Sequence, residues 1–199
     1  AVLPYSPQAE AGPVHTLVNF DIVRAYLIYT RTAVEHLALE ENRFVTVSAL
    51  LAKLNSKYDH IGPDGNPTVY KLDRVTDAHL IMTQTEFKVA NCIITTDLLS
   101  PAVLDGGGDR TGVSGSNFGF LLDECDNVEI CNFQVTGMRY HGICVGREDN
   151  ELGGTNNKIL DNTIYNCGTS GIAIRNGADG TLVEGNKISQ IGTGDTRGE

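Results

Sequence analysis

The stretch Ile159-Leu160-Asp161-Asn162-Thr163-Ile164, followed by Gly171-Ile172-Ala173-Ile174, decides how this chain folds. Two apolar residues flank Asn162, and a step of eight residues leads from Ile164 to Ile172. The arrangement recurs upstream, where Ile130, Phe133 and Val135 precede Gly142-Ile143-Cys144-Val145 and the step from Val135 to Ile143 is again eight. Val183, Asn186 and Ile188 repeat the first motif; Gly119-Phe120-Leu121-Leu122 repeats the second; Val89, Cys92 and Ile94 fit the first motif at the upstream end. The interval is 29 residues from Ile130 to Ile159 and 24 from Ile159 to Val183. Constant strands joined by variable loops point to a solenoid. Each coil buries its inward side chains against its neighbours, and a corner loop grows without disturbing the stack.

Adjacent coils then pair in parallel about 4.8 Å apart. This places Ile164 over Ile188 and Asn162 over Asn186 as an amide ladder, with Ile130, Val135, Ile159, Ile164, Val183 and Ile188 inside. The turns agree. Of 22 glycines, only Gly12, Gly62 and Gly65 precede residue 106, and ten of 15 asparagines follow residue 115. Short β-branched runs between Gly and Asn turns read as many short strands. On this alignment the first coil carries an 18-residue insertion between Ile94 and Phe120.

Residues 1–74 read differently. Pro4, Pro7 and Pro13 make 1–13 an extended arm. Residues 14–45 fit strand and helix equally: Val18, Phe20 and Ile22 alternate, while Phe20, Arg24, Leu27 and Arg31 share a helical face. Val47, Leu50, Leu51 and Leu54 have helical spacing, with Thr46 as the N-cap. The turn cluster Gly62-Pro-Asp-Gly-Asn-Pro67 puts a boundary between residues 67 and 75. The expected organisation is a mixed, partly helical attachment region over 1–74 and a parallel β-helix of about four coils over 75–199.

The pattern I-x-x-N-x-I followed by G-I-x-I resembles the right-handed parallel β-helix repeats of the pectate lyase and polygalacturonase superfold, including tail-spike-like β-helices of phages. The resemblance covers roughly residues 75–199. It implies a mainly β, single-stranded right-handed parallel β-helix. Within it, Tyr140-His141-Gly142-Ile143-Cys144-Val145-Gly146 is similar to the G-H-G-x-x-x-G motif of polygalacturonase-type hydrolases, and Gly171-Ile172-Ala173-Ile174-Arg175 to their G-x-R-I-K segment. By that resemblance His141 maintains the ionisation of the catalytic acid and Arg175 grips a substrate carboxylate. The family's adjacent Asp pair should lie one coil before the His, where this chain has Phe118-Gly119. Inverting hydrolysis needs two carboxyl groups, so that mechanism does not transfer.

Other carboxylates lie on long loops, where sites usually reside. Asp105 and Asp109 flank Gly106-Gly107-Gly108; Asp123, Glu124 and Asp126 cluster after the second strand; Glu148, Asp149 and Glu151 follow Arg147. With His141, Asp105 and Asp109 are the candidate catalytic residues, and Arg139, Tyr140, His141, Arg147 and Arg175 the candidate substrate-binding ones. A lyase of this fold needs a base and a charge neutraliser, either an Arg or Ca²⁺; no other cofactor is expected. Along one strand, His141 and Arg175 are expected at opposite ends, roughly 15 Å apart at about 3.3 Å per residue.

Composition narrows the partners. Fifteen Lys and Arg against 25 Asp and Glu give a net charge of −10, which disfavours nucleic acid. No run approaches the 18 apolar residues or so of a membrane span, and residue 1 opens no leader, so a signal peptide is expected to be absent or removed. The five cysteines are odd in number, lack CxxC spacing and read as small buried hydrophobes; no metal site is expected. Two functions fit. One is a module directed at a polysaccharide or oligosaccharide, by binding and possible lyase or hydrolase chemistry. The other is a structural segment of a trimeric virion tail spike, fibre or appendage, with residues 1–74 as its attachment and trimerisation part. Both imply an extracellular or virion-surface setting. A last coil without an evident polar cover implies a fragment or closure by a partner subunit.

Overall fold

A β-strand alternates its side chains between two faces, so only every second residue of a repeat unit can enter a core. The computed structural model describes Val34 and residues 37–73, 80–81, 86–108, 114–147 and 153–192. It shows this alternation closed into a coil of three strands per turn.

A short strand β1 (Arg43–Phe44) precedes the first coil and pairs with its first strand; that coil holds β2 (Thr68–Leu72), β3 (Leu80–Ile81) and β4 (Glu86–Phe87). The second holds β5 (Ala90–Thr96), β6 (Val103–Asp105) and β7 (Phe118–Leu122). The third holds β8 (Asp126–Cys131), β9 (Gln134–Thr136) and β10 (His141–Val145). The fourth holds β11 (Lys158–Leu160), β12 (Thr163–Tyr165) and β13 (Ser170–Ile174), and β14 (Leu182–Glu184) and β15 (Lys187–Ser189) follow. Each strand pairs in parallel with its equivalent one coil away, which builds three sheets. Sheet 1 runs β1-β2-β5-β8-β11-β14, sheet 2 runs β3-β6-β9-β12-β15, and sheet 3 runs β4-β7-β10-β13.

The register places Ile159 between Ile130 and Val183, and Ile164 between Val135 and Ile188. Ile130, Val135, Ile159 and Ile164 are fully buried. Val183 and Ile188, expected inside, are 41% and 47% exposed. They lie on the coil that no further described strand covers.

The asparagine ladder is present. Asn162 donates from Nδ2 to Ile130 O and to Asn186 Oδ1, both at 3.0 Å, and its Oδ1 accepts from Phe133 N. Asn157 does the same work at the previous corner, donating to Cys125 O at 2.6 Å and accepting from Val128 N at 3.0 Å. Left-handed backbone recurs at Asn132, Asp161 and Gly185 (φ 70°, 54° and 71°), one residue per coil. Gly, Asn and Asp tolerate that conformation best, which accounts for their abundance after residue 105.

Two expectations need correction. Ile94 stacks on Ile130, and Leu104, not Ile94, stacks on Val135. A longer corner at residues 97–102 had displaced the second half of that coil, so the excess length divides between two corners instead of forming one insertion. The boundary expected at 67–75 also falls inside the stack, because β1 and β2 already belong to sheet 1.

The expected helix is α1 (Val47–Leu54), with Thr46 Oγ1 accepting from Ala49 N at 3.2 Å. Its Leu50 and Leu54 join one hydrophobic cluster with Tyr70 and Leu72 of β2. The helix therefore covers the first coil's core. Residues 1–33 lie outside the described residues.

Candidate functional site

Gly119, Gly142 and Gly171 enter sheet 3 directly ahead of the paired residues Phe120, Ile143 and Ile172. A Cβ on any of them would collide with the inward side chain of Val135, Ile164 or Ile188 respectively. The repeated glycine thus lets sheet 3 close against sheet 2. It also fixes the residue just before it: Phe118, His141 and Ser170 share one row across three coils.

His141, 5% exposed, is the centre of that row. Its ring stacks on Phe118, centroids 5.7 Å apart and planes at 26°. Its Nδ1 lies 2.6 Å from Ser170 Oγ, and its Nε2 lies 2.8 Å from Arg175 Nη2. A guanidinium only donates, so Nε2 is the acceptor and the ring proton sits on Nδ1, directed at the Ser170 hydroxyl. The Nε2 lone pair is therefore engaged by Arg175. In this arrangement His141 orients the guanidinium and does not serve as a proton acceptor at Nε2.

The separation expected between His141 and Arg175 is corrected here. Arg175 leaves the backbone beyond Ile174, but its side chain folds back along the strand until its head meets the imidazole. Strand spacing measures Cα positions, and a side chain with four rotatable bonds erases much of that distance.

Over the outer face of sheet 3 runs a groove of about 500 Å³. Phe118, Tyr140 and His141 form its aromatic end, Leu121 and Cys144 belong to its floor, and Arg147 and Arg175 bring charge to it. Tyr140 lies 6.2 Å from Phe118 between ring centroids, and Arg139 places its guanidinium 5.0 Å from the Tyr140 ring centre. Arg139, Tyr140, His141, Arg147 and Arg175 thus form one neighbourhood. Asp105 does not join them: it ends β6 in sheet 2, where its Oδ1 accepts from Gly107 N at 2.8 Å. Asp109, Glu148, Asp149 and Glu151 lie outside the described residues.

One row of charge borders the groove. The residues following the paired Phe87, Leu122, Val145 and Ile174 are Lys88, Asp123, Gly146 and Arg175. Asp123 is 1% exposed, and among the described residues neither of its oxygens accepts a hydrogen bond. Lys88 Nζ at 3.3 Å and Arg147 Nη1 at 3.6 Å neutralise it. Glu124 and then Asp123 hold the Lys88 ammonium above its usual pKa. Gly146 leaves the middle of this row without a side chain; its backbone is left-handed (φ 79°), and a Cβ there would press on the Asn176 carbonyl and Gly153.

Three of the buried thiols, Cys125, Cys131 and Cys167, add no reactivity. Burial pushes Cys125 and Cys131 up to about 12 and Cys167 up to about 11, so they stay protonated and unreactive. No group of His, Cys, Asp and Glu among the described residues could hold a metal ion. Phe118 and Ser170 escaped the sequence reading, although each precedes a repeated glycine just as His141 does. The burial of Asp123 carried no such signal, since it depends on Lys88 and Arg147 from neighbouring coils.

Three sheets of stacked parallel strands, an internal asparagine ladder and a glycine-led third sheet define a parallel β-helix. The chain belongs to the family described as right handed beta helix region, whose model matches residues 84–196. No curated protein and no solved structure matches it.

Proposed function

We propose that the sheet 3 groove binds an acidic oligosaccharide, with uronate carboxylates held by Arg175 and Arg147. The observation that carries this reading is the setting of Arg175: a guanidinium anchored by a neutral His141 at the edge of an aromatic-walled groove. A fixed guanidinium offers paired donors that match a carboxylate. Phe118 and Tyr140 supply apolar faces suited to the C–H face of a sugar ring. On a chain of net charge −10, a long-range field repels an acidic polymer, so binding depends on such a local concentration of cations. The described lining of the groove contains cations, aromatic rings and no carboxylate. That chemistry suits an anion, and among the described residues the lining does not supply the two flanking carboxyl groups that inverting or retaining hydrolysis requires.

Calorimetric titration with trigalacturonate and with a neutral trisaccharide tests the reading. Saturable binding of the uronate alone, weakened by added salt, is expected. Equal binding of both sugars, or of neither, would overturn it.

A further inference from the structure

A second groove, of about 410 Å³, lies at the corner between sheets 1 and 2. In three successive coils this corner is two residues long: Asn132-Phe133, Asp161-Asn162 and Gly185-Asn186. Between β5 and β6 it is instead residues 97–102. The longer segment brings Leu98 and Pro101 to the groove as a wall beside the regular corners. A loop that departs from the repeat and borders a cleft on a rigid scaffold has the usual form of a binding site.

Two in-register rows complete the groove. The first is the left-handed corner row Asn132, Asp161 and Gly185. The second is Gln134, Thr163 and Lys187, paired coil to coil in sheet 2. The second row faces outward because its neighbours Val135 and Ile164 are wholly buried. Amide, hydroxyl, ammonium and carboxylate groups together offer both donors and acceptors. Asp161 and Lys187 carry opposite charges, so the lining has no net charge. This differs from the sheet 3 groove, where two arginines line the cleft.

We propose that this second groove binds an uncharged oligosaccharide lying parallel to the stack axis. Its rows recur about every 4.8 Å, close to the length of one pyranose unit in an extended glycan. Successive sugars then meet the same hydroxyl-binding position in successive coils. Leu98 and Pro101 receive the apolar edge of the rings. The proposal stands apart from the acidic-sugar reading, because it involves another face and a ligand of different charge.

The test is a titration of the isotope-labelled full chain with cellohexaose, xylohexaose and mannohexaose, followed by amide NMR. At least one sugar is expected to shift the amides of Gln134, Thr163 and Lys187 while leaving those of Tyr140 and His141 unmoved. Thr163→Val keeps the shape and the strand preference and removes only the hydroxyl. It and Gln134→Ala are each expected to weaken binding about five- to tenfold. Arg175→Gln is expected to leave the affinity for the neutral sugar unchanged. The proposal fails if all three sugars leave these amides unmoved, or if both Thr163→Val and Gln134→Ala bind as tightly as the parent chain. It also fails if trigalacturonate shifts these amides more strongly than the neutral sugars do.

Discussion

Each coil turns corners of two kinds. At the later corners between sheets 1 and 2 the chain reverses through two residues, the first left-handed and the second (Phe133, Asn162, Asn186) closing the turn. The corners around sheet 3 vary more widely: residues 106–117 precede β7, whereas only 137–140 and 166–169 precede β10 and β13, and 146–157 follow β10 where 123–125 follow β7. Tyr140, Arg147 and Arg175 come from these variable corners. The repeated corner holds the stack together, and the variable ones carry chemistry. Between sheets 1 and 2, residues 73–79 and 97–102 depart from the two-residue corner, and the second of these borders a groove.

This division predicts a graded response to substitution. The largest loss should come from the interior that both kinds of corner enclose. Ile164→Ala leaves a cavity between Val135 and Ile188 and should cost about 2–5 kcal/mol in denaturant unfolding. Asn162→Ala strands the Phe133 N–H and the Ile130 carbonyl, at about 1–3 kcal/mol for each buried group left unpaired. Asn176→Ala, at an exposed position on a variable corner, should stay within about 0.5 kcal/mol of the parent. Equal losses at Asn162 and Asn176 would break the comparison. Gly142→Ala drives a methyl into Ile164 and the Gly171 carbonyl and should cost about 1–3 kcal/mol, seen as a lower melting temperature.

The repeated parts were legible in the sequence because a stack forces like residues into one row. Ile130, Ile159 and Asn162 could be placed from spacing alone. The second coil was misassigned for the same reason: Val89, Cys92 and Ile94 imitate the motif, and only the extra length at 97–102 puts Ile94 beneath Ile130. In the site, the position of His141 followed from Gly142, and Phe118 and Ser170 could have been found by the same rule. The meeting of Arg175 with His141 could not, because it depends on the path of a long flexible side chain. Nor could the burial of Asp123, which needs cations from two other coils.

A milder test asks how far the rigid scaffold extends. His60 is fully buried where the chain leaves α1. Its Nε2 lies 3.0 Å from Leu54 O and its Nδ1 2.6 Å from the Tyr70 hydroxyl. Burial holds its pKa below the usual imidazole value. The unfolded chain, titrating near pH 6.5, then takes up a proton before the folded one does. Stability should be full above about pH 6.5 and fall as pH drops toward and through the lowered folded value. His60→Gln, which does not titrate, should flatten this part of the stability profile. A parent profile with no slope just below about pH 6.5 would show that α1 is not locked to the first coil in this way.

The most direct test of the division between scaffold and site is Arg175→Ala, with unfolding free energy and trigalacturonate affinity measured on the same preparation. The account predicts a loss of stability smaller than that of Asn162→Ala, because solvent in the groove can replace the one hydrogen bond that His141 Nε2 loses, and a uronate affinity reduced at least about tenfold, the order expected for loss of a charge-assisted hydrogen bond. Unchanged affinity, or a loss of stability as large as that of Asn162→Ala, would contradict it.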